Sequence, residues 1–198
     1  MAENIHVRLR TILRARATKI GVTMTASSES PRSEASPVGK MVLFKGADAP
    51  SLETTGMMED MTYVVEGADD TPITEDEIEA LQGGGQLTVP FRQSDTEGFS
   101  LVEIKFAPGY LLPKHSHSSD CLYYIVKGGI VMGKRELGPG DGFFLPAEQV
   151  YAYHAGSEGV TLLEFRNRTG FDMKVHEKDM GDYRRKAVSS MEQSGSTQ

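Results

Sequence analysis

Gly109-Tyr-Leu-Leu-Pro-Lys-His115-Ser-His117-Ser-Ser-Asp-Cys121-Leu-Tyr-Tyr-Ile-Val-Lys-Gly128 is the stretch whose reading decides the fold. At its centre two histidines stand two residues apart. On a β-strand such residues project to the same face, so His115 and His117 would present two imidazoles side by side, able to grip one metal ion from one direction. Ala107-Pro108-Gly109 ahead of them and Ser118-Ser119-Asp120 behind them are turn sequences, and Cys121–Val126 is rich in strand formers. Further on come Gly128-Gly129, the apolar run Ile130–Met132, a polar tip at Gly133-Lys134 and the turn Gly138-Pro-Gly-Asp-Gly142. Phe143–Pro146 and Val150–His154 follow. Short strands with turn signals about every 8–12 residues predict an antiparallel barrel or sandwich.

These spacings resemble the double motif of the cupins, small β-barrels that usually hold one metal ion. The first cupin motif has Gly, five residues, His-x-His, three or four residues, Glu, six residues and Gly. Here Gly109, His115, His117 and Gly128 fall at those spacings, with Cys121 in place of the Glu. The second motif has Gly, five residues, Pro-x-Gly, two residues, His, three residues and Asn. Here Gly140 and Pro146 match, while Glu148 replaces the Gly, Tyr151 the His and Ala155 the Asn. The resemblance implies a mainly β protein, a single cupin-type antiparallel β-barrel (jelly-roll), with a short helix in an N-terminal extension. It also implies one divalent metal, Fe2+ favoured, with Mn2+, Ni2+ or Zn2+ as alternatives, and a homodimer.

The rest of the chain sets the limits. Its 198 residues suit one domain with extensions, and 38% hydrophobic residues allow a core. One cysteine excludes an internal disulfide framework. No apolar run approaches the roughly 18 residues of a membrane span, and none resembles a signal peptide, so no membrane partner and a cytoplasmic location are expected. The net charge of −7 divides unevenly: residues 1–40 hold seven Lys/Arg against three acids. The acidic remainder argues against nucleic acid as a partner.

Ile5, Leu9, Ile12 and Leu13 fall at helical spacing among arginines, and a Ser-rich run follows. That pattern resembles an organelle transit peptide. It equally suits a loosely ordered arm, or an extension ahead of a start at Met24. The domain reading is therefore a basic, disordered arm over 1–38, a cupin domain over 39–173 with its core at 100–166, and a mobile tail over 174–198. Within the domain, Met41–Phe44 and Met61–Val65 read as strands. Thr74 caps a helix through Gln82, with Glu77 completing a capping box. Ser100–Phe106 alternates, with Val102, Ile104 and Phe106 on one face, and Val160–Arg166 is a further strand. His6 and His176 are expected to be solvated.

His115 and His117 are the leading ligand candidates, since imidazole suits Fe, Ni, Cu and Zn. Cys121 as a thiolate would favour softer metals, or it is a small buried filler. Thiol dioxygenases, a cupin branch, join a cysteine near this position covalently to a tyrosine, which makes a Cys121–Tyr151 encounter conceivable. His154, brought inward by a bulge after Pro146, is a possible further ligand. Tyr151 is the candidate catalytic phenol, or an aromatic filling the barrel. Tyr123, Tyr153, Glu103, Glu164 and Arg166 are candidates to bind a small-molecule substrate. By resemblance the expected function is a mononuclear non-haem metal oxygenase or dioxygenase. The alternatives are a non-catalytic binding or sensor cupin and a metal-dependent isomerase, cyclase or lyase.

Overall fold

The computed structural model describes residues 41–59, 61–66, 72–94 and 98–195. The basic arm over 1–38, with its expected helix and His6, lies outside them. Two short 3-10 turns, Gly46–Asp48 and Leu52–Thr55, precede strand β1 (Thr62–Tyr63). Helix α1 (Glu75–Gly84) starts as its sequence predicts. The Thr74 hydroxyl accepts the Glu77 N–H at 3.2 Å, and the Glu77 carboxylate accepts the Thr74 N–H at 3.0 Å. The chain then runs through β2 (Gly85–Arg92), β3 (Ser100–Phe106), β4 (His115–Ser116), β5 (Cys121–Met132), β6 (Arg135–Leu137) and β7 (Gly142–Leu145). It finishes with β8 (His154–Arg166), β9 (Lys174–Val175) and helix α2 (Met180–Gly195).

The larger sheet has the order β2-β3-β8-β5-β6, with β7 also paired to β5, and every pairing in it is antiparallel. The smaller sheet is β1-β9-β4; here β1 and β9 run parallel, an exception to the expected antiparallel pattern. Alternation along the long strands fills the interior in rungs. Ile104, Leu162 and Ile125 lie in register, then Val102, Glu164 and Tyr123, then Ser100, Arg166 and Cys121. All nine are buried. Each fully buried aliphatic side chain among them contributes about 1.5–3 kcal/mol through removal from water. The opposite face of β5 and β7 leaves Leu122, Tyr124, Val126 and Phe144 about half exposed, so of the pair Phe143-Phe144 only Phe143 enters the core.

Several expectations are corrected. Met41–Phe44 form no strand and are exposed, and only Thr62–Tyr63 of the expected 61–65 strand pairs. Val150–His154 is not a separate strand: Tyr151 makes one isolated bridge to His115, and β8 begins at His154.

The largest correction concerns residues 174–195. The expected mobile tail is instead β9 and α2. Lys174-Val175 pairs with Ser116-His115, so it forms the partner strand of β4, which carries His115. Helix α2 buries Met180, Arg184 and Ala187. It packs on the turn leading to the histidines: the Tyr183 hydroxyl donates to Leu111 O and the Ser190 hydroxyl to Gly109 O, both at 2.8 Å. Gly109 has φ +69, and a Cβ there would lie 2.5 Å from Ser190 O, so both conformation and packing demand glycine. The signal was a helical stripe, Met180, Arg184, Ala187 and Met191, in which an arginine takes an apolar place.

Candidate metal centre

His115 on β4 and His117, one residue past its end, are both buried, at 3% and 4% exposure. His115 Nδ1 lies 2.7 Å from Pro113 O, and His117 Nδ1 lies 2.5 Å from Asp172 O. A carbonyl only accepts, so each Nδ1 carries the proton and each Nε2 is left with a lone pair when the ring is neutral. Burial keeps the rings neutral. It lowers His115 to about 4, helped by the neighbouring His117, and lowers His117 in the same direction.

Both lone pairs converge on one atom. The Tyr151 hydroxyl lies 2.8 Å from His115 Nε2 and 3.1 Å from His117 Nε2, with the Tyr123 hydroxyl 2.7 Å away on another side. Burial, and next the Glu164 carboxylate, hold both tyrosines protonated, far above their ordinary range. Tyr151 has one proton to donate and faces two nitrogen lone pairs. Whichever nitrogen receives it, the other faces only oxygen lone pairs. A cation at this junction would satisfy both nitrogens. The donor set, two imidazoles and a phenol oxygen, therefore fits a divalent transition metal, and the backbone bonds to Nδ1 orient the rings as metal-ligating imidazoles are usually oriented.

The second motif closes over the histidines as its register predicts. Glu148, where the motif has glycine, is the one non-glycine residue with positive φ (65°) among those described. Its N–H donates to His117 O at 2.8 Å, and its carboxylate pairs with Lys174. His176, expected to be solvated, bonds Ser116 through Nε2 at 3.0 Å.

The remaining candidates separate. Cys121 faces inward, but its thiol contacts Ser119 O at 3.4 Å, and burial followed by Glu164 pushes it up to about 12. It is thus a protonated thiol, and the tyrosine hydroxyl bonded to Tyr151 is that of Tyr123. His154 begins β8 half-buried, with Nδ1 3.2 Å from Ala155 O. Among the described residues no group of three or more His, Cys, Asp or Glu is placed to hold a metal ion. Glu103 is on the outer face, paired with Lys105 at 2.5 Å, rather than in the interior. Tyr153 is inward and packs among Phe106, Phe143 and Tyr151.

Glu164 and Arg166 form a buried ion pair, Nε to Oε1 at 2.6 Å, with side chains 1% and 0% exposed. Burial works against both charges. Together the partner and its neighbours outweigh it: Arg166, His117 and hydrogen bonding lower the carboxyl, and Glu164, Cys121 and Tyr123 raise the guanidinium. The guanidinium carbon lies 3.8 Å from the centroid of the Phe171 ring.

No protein-family profile and no curated protein matches the chain. Among solved structures, KdgF from Halomonas sp. is similar at 25% identity over 43% of this chain and 81% of that one, with a TM-score of 0.40. Oxalate decarboxylase from Bacillus subtilis is similar at 19% identity and a TM-score of 0.39, over 44% of this chain and 26% of that one. The chain thus spans about a quarter of the decarboxylase. In its motif spacing, the left-handed backbone at Gly109 and Glu148, and the strand pairing around His115, the chain resembles the cupins in fold.

Proposed function

We propose that the chain binds one divalent metal ion through His115 and His117, with Tyr151 as the oxygen donor beside them, and acts as a mononuclear non-haem oxygenase on a small organic substrate. The observation that carries this reading is the junction at Tyr151, where two buried nitrogen lone pairs share a single phenolic proton. When bound, the ion would supply Lewis acidity and, as iron, one-electron chemistry with dioxygen. Iron is favoured because two imidazoles and one oxygen donor leave several coordination positions open, as in the two-histidine, one-carboxylate sites of oxygenases. Pro113 and Asp172 carbonyls hold the imidazole tautomers, Tyr123 holds the Tyr151 hydroxyl, and the aromatic packing of Phe143 against Tyr123 at 4.5 Å excludes water. A second reading, metal-dependent isomerase or lyase chemistry, is favoured by the Tyr123–Tyr151 pair. Two protonated phenols 2.7 Å apart are proton donors that need no redox metal.

The test is metal content by mass spectrometry on protein purified without tag or chelator, together with His115→Ala and Tyr151→Phe. Near one iron per chain, lost in His115→Ala and weakened in Tyr151→Phe, supports the metal reading. Oxygen uptake with a chelating substrate selects the oxygenase, and anaerobic turnover with zinc or nickel selects the lyase or isomerase. Protein that is empty and takes up none of Fe, Mn, Ni or Zn overturns both.

A further inference from the structure

Arg166 has more hydrogen-bonding capacity than the protein uses. Its side chain is 0% exposed, and Nε is occupied by Glu164, yet Nη1 and Nη2 have no partner among the described residues. Four N–H donors of a charged group are thus buried and unmatched. Each unsatisfied buried polar group costs about 1–3 kcal/mol, and more where it is charged, so an arrangement of this kind points to a missing acceptor. The guanidinium is not free to find one by moving. Glu164 binds Nε and Phe171 covers a face, so the unmatched donors are those of Nη1 and Nη2. Ser119 Oγ, two residues before Cys121, which pairs with Arg166 across the sheet, is likewise buried without a partner.

We propose that the Nη1 and Nη2 donors receive the carboxylate of the substrate, so that the site takes a small carboxylic acid with its anionic end on Arg166 and its reacting end toward His115, His117 and Tyr151. The inference rests on the metal-enzyme reading and adds to it the substrate class. A planar guanidinium edge presents two parallel N–H vectors that match the two oxygens of a carboxylate. Charge favours a monoanion. The histidines are neutral and Arg166 is cancelled by Glu164, so a divalent ion at the junction would leave the interior positive and in need of an anion. A phosphate dianion suits less well, because Glu164 keeps its second oxygen, also unpartnered, beside the same guanidinium.

Formate, the smallest carboxylate, tests this without knowledge of the whole substrate. Its carbon-13 signal is followed as protein is added, with formamide as the neutral probe of equal size and chloride as the ionic-strength control. The expected result is saturable formate binding that neither control reproduces and that weakens at least about tenfold in Arg166→Lys, which keeps the charge for Glu164 but loses the fork. The double variant Glu164→Gln/Arg166→Gln, which leaves no buried charge unpaired, is expected to lose formate binding while staying folded. Metal content is read on the same samples. Formate binding that survives Arg166→Lys and the double variant, or that formamide matches, overturns the carboxylate proposal even when iron is present. Formate binding that depends on Arg166 in a chain that takes up no metal supports the carboxylate subsite and removes the metal-enzyme reading.

Discussion

Two ends of one interior are built on the same three strands, β3, β8 and β5, and differ in nearly every side chain. At one end the rung is Ile104, Leu162 and Ile125, with Phe106 and Val160 beyond it. At the other end the rung is Ser100, Arg166 and Cys121, joined through Val102, Glu164 and Tyr123. Both ends are equally dry. The apolar end stabilises the fold by burial alone. The polar end removes an ion pair, phenols and imidazoles from water, where the Coulombic gain of a buried pair often fails to exceed its desolvation cost. The difference teaches that the polar end is not explained by stability. The metal and carboxylate proposed above would use those groups.

The largest effect that would break this comparison is at Glu164. Glu164→Leu leaves the Arg166 charge buried without its partner and should cost about 3–5 kcal/mol, read from the urea unfolding midpoint. The double variant Glu164→Leu/Arg166→Met should recover most of that loss. A double variant as unstable as the single one would mean that the polar end does hold the fold, and the contrast would fail. At the apolar end, Leu162→Ala should cost about 2–5 kcal/mol by leaving a cavity, with metal content per folded chain unchanged.

How much of this was legible in the sequence follows from which interactions are local. The Thr74–Glu77 capping box and the alternation of β3 are set by residues within a few positions of one another, and they stand as read; of His-x-His only His115 lies on a strand, although both rings meet the Tyr151 hydroxyl. Glu164 and Arg166 were recognisable as polar residues in a strand, but a two-residue period does not say which face is inside. The apolar alternates Leu163 and Phe165 suit an inward face equally well. Glu103 shows the same ambiguity resolved the other way. Residues 174–195 were illegible because β9 is two residues long and gains its meaning only from His115 and Ser116, about 60 positions earlier. Helix α2 was hidden by serines and by Arg184 in a buried place.

Cys121 sharpens the comparison with a smaller signal. Burial and Glu164 raise its thiol from 9.0 to about 12, so at pH 9 only about one molecule in a thousand carries the thiolate that an alkylating reagent attacks. Iodoacetamide at pH 9 should label the native chain at least about 100-fold more slowly than the chain in urea. The linkage has a definite sign. Because the folded thiol holds its proton more tightly, its contribution is complete below pH 9 and is lost as pH rises toward 12. Rapid native labelling at pH 9 would mean a thiolate at the polar end and would strengthen Cys121 as a ligand candidate.

The smallest effect concerns backbone strain, which is also distributed unequally. At the apolar end the left-handed positions are glycines: Gly128 with φ +69 and Gly159 with φ +72, each too close to backbone to carry a Cβ. At the polar end the left-handed position beside His117 is Glu148, φ 65°. For an L-residue that conformation costs about 1–2 kcal/mol. Replacing it by glycine removes the cost but gives back about 0.5–1 kcal/mol through the freer unfolded chain. The Lys174 ion pair is more than half exposed on the glutamate side and contributes little. Glu148→Gly should therefore gain roughly 0.5 kcal/mol, and Glu148→Ala, which keeps the strain, should gain nothing. The informative readout is metal retention in the glycine variant. The Glu148 N–H bond to His117 O positions one imidazole of the junction, so a more stable chain that releases metal faster would show strain held at the polar end for the site's geometry. Unchanged retention with the same gain would reduce Glu148 to an unrelieved fault in the second motif.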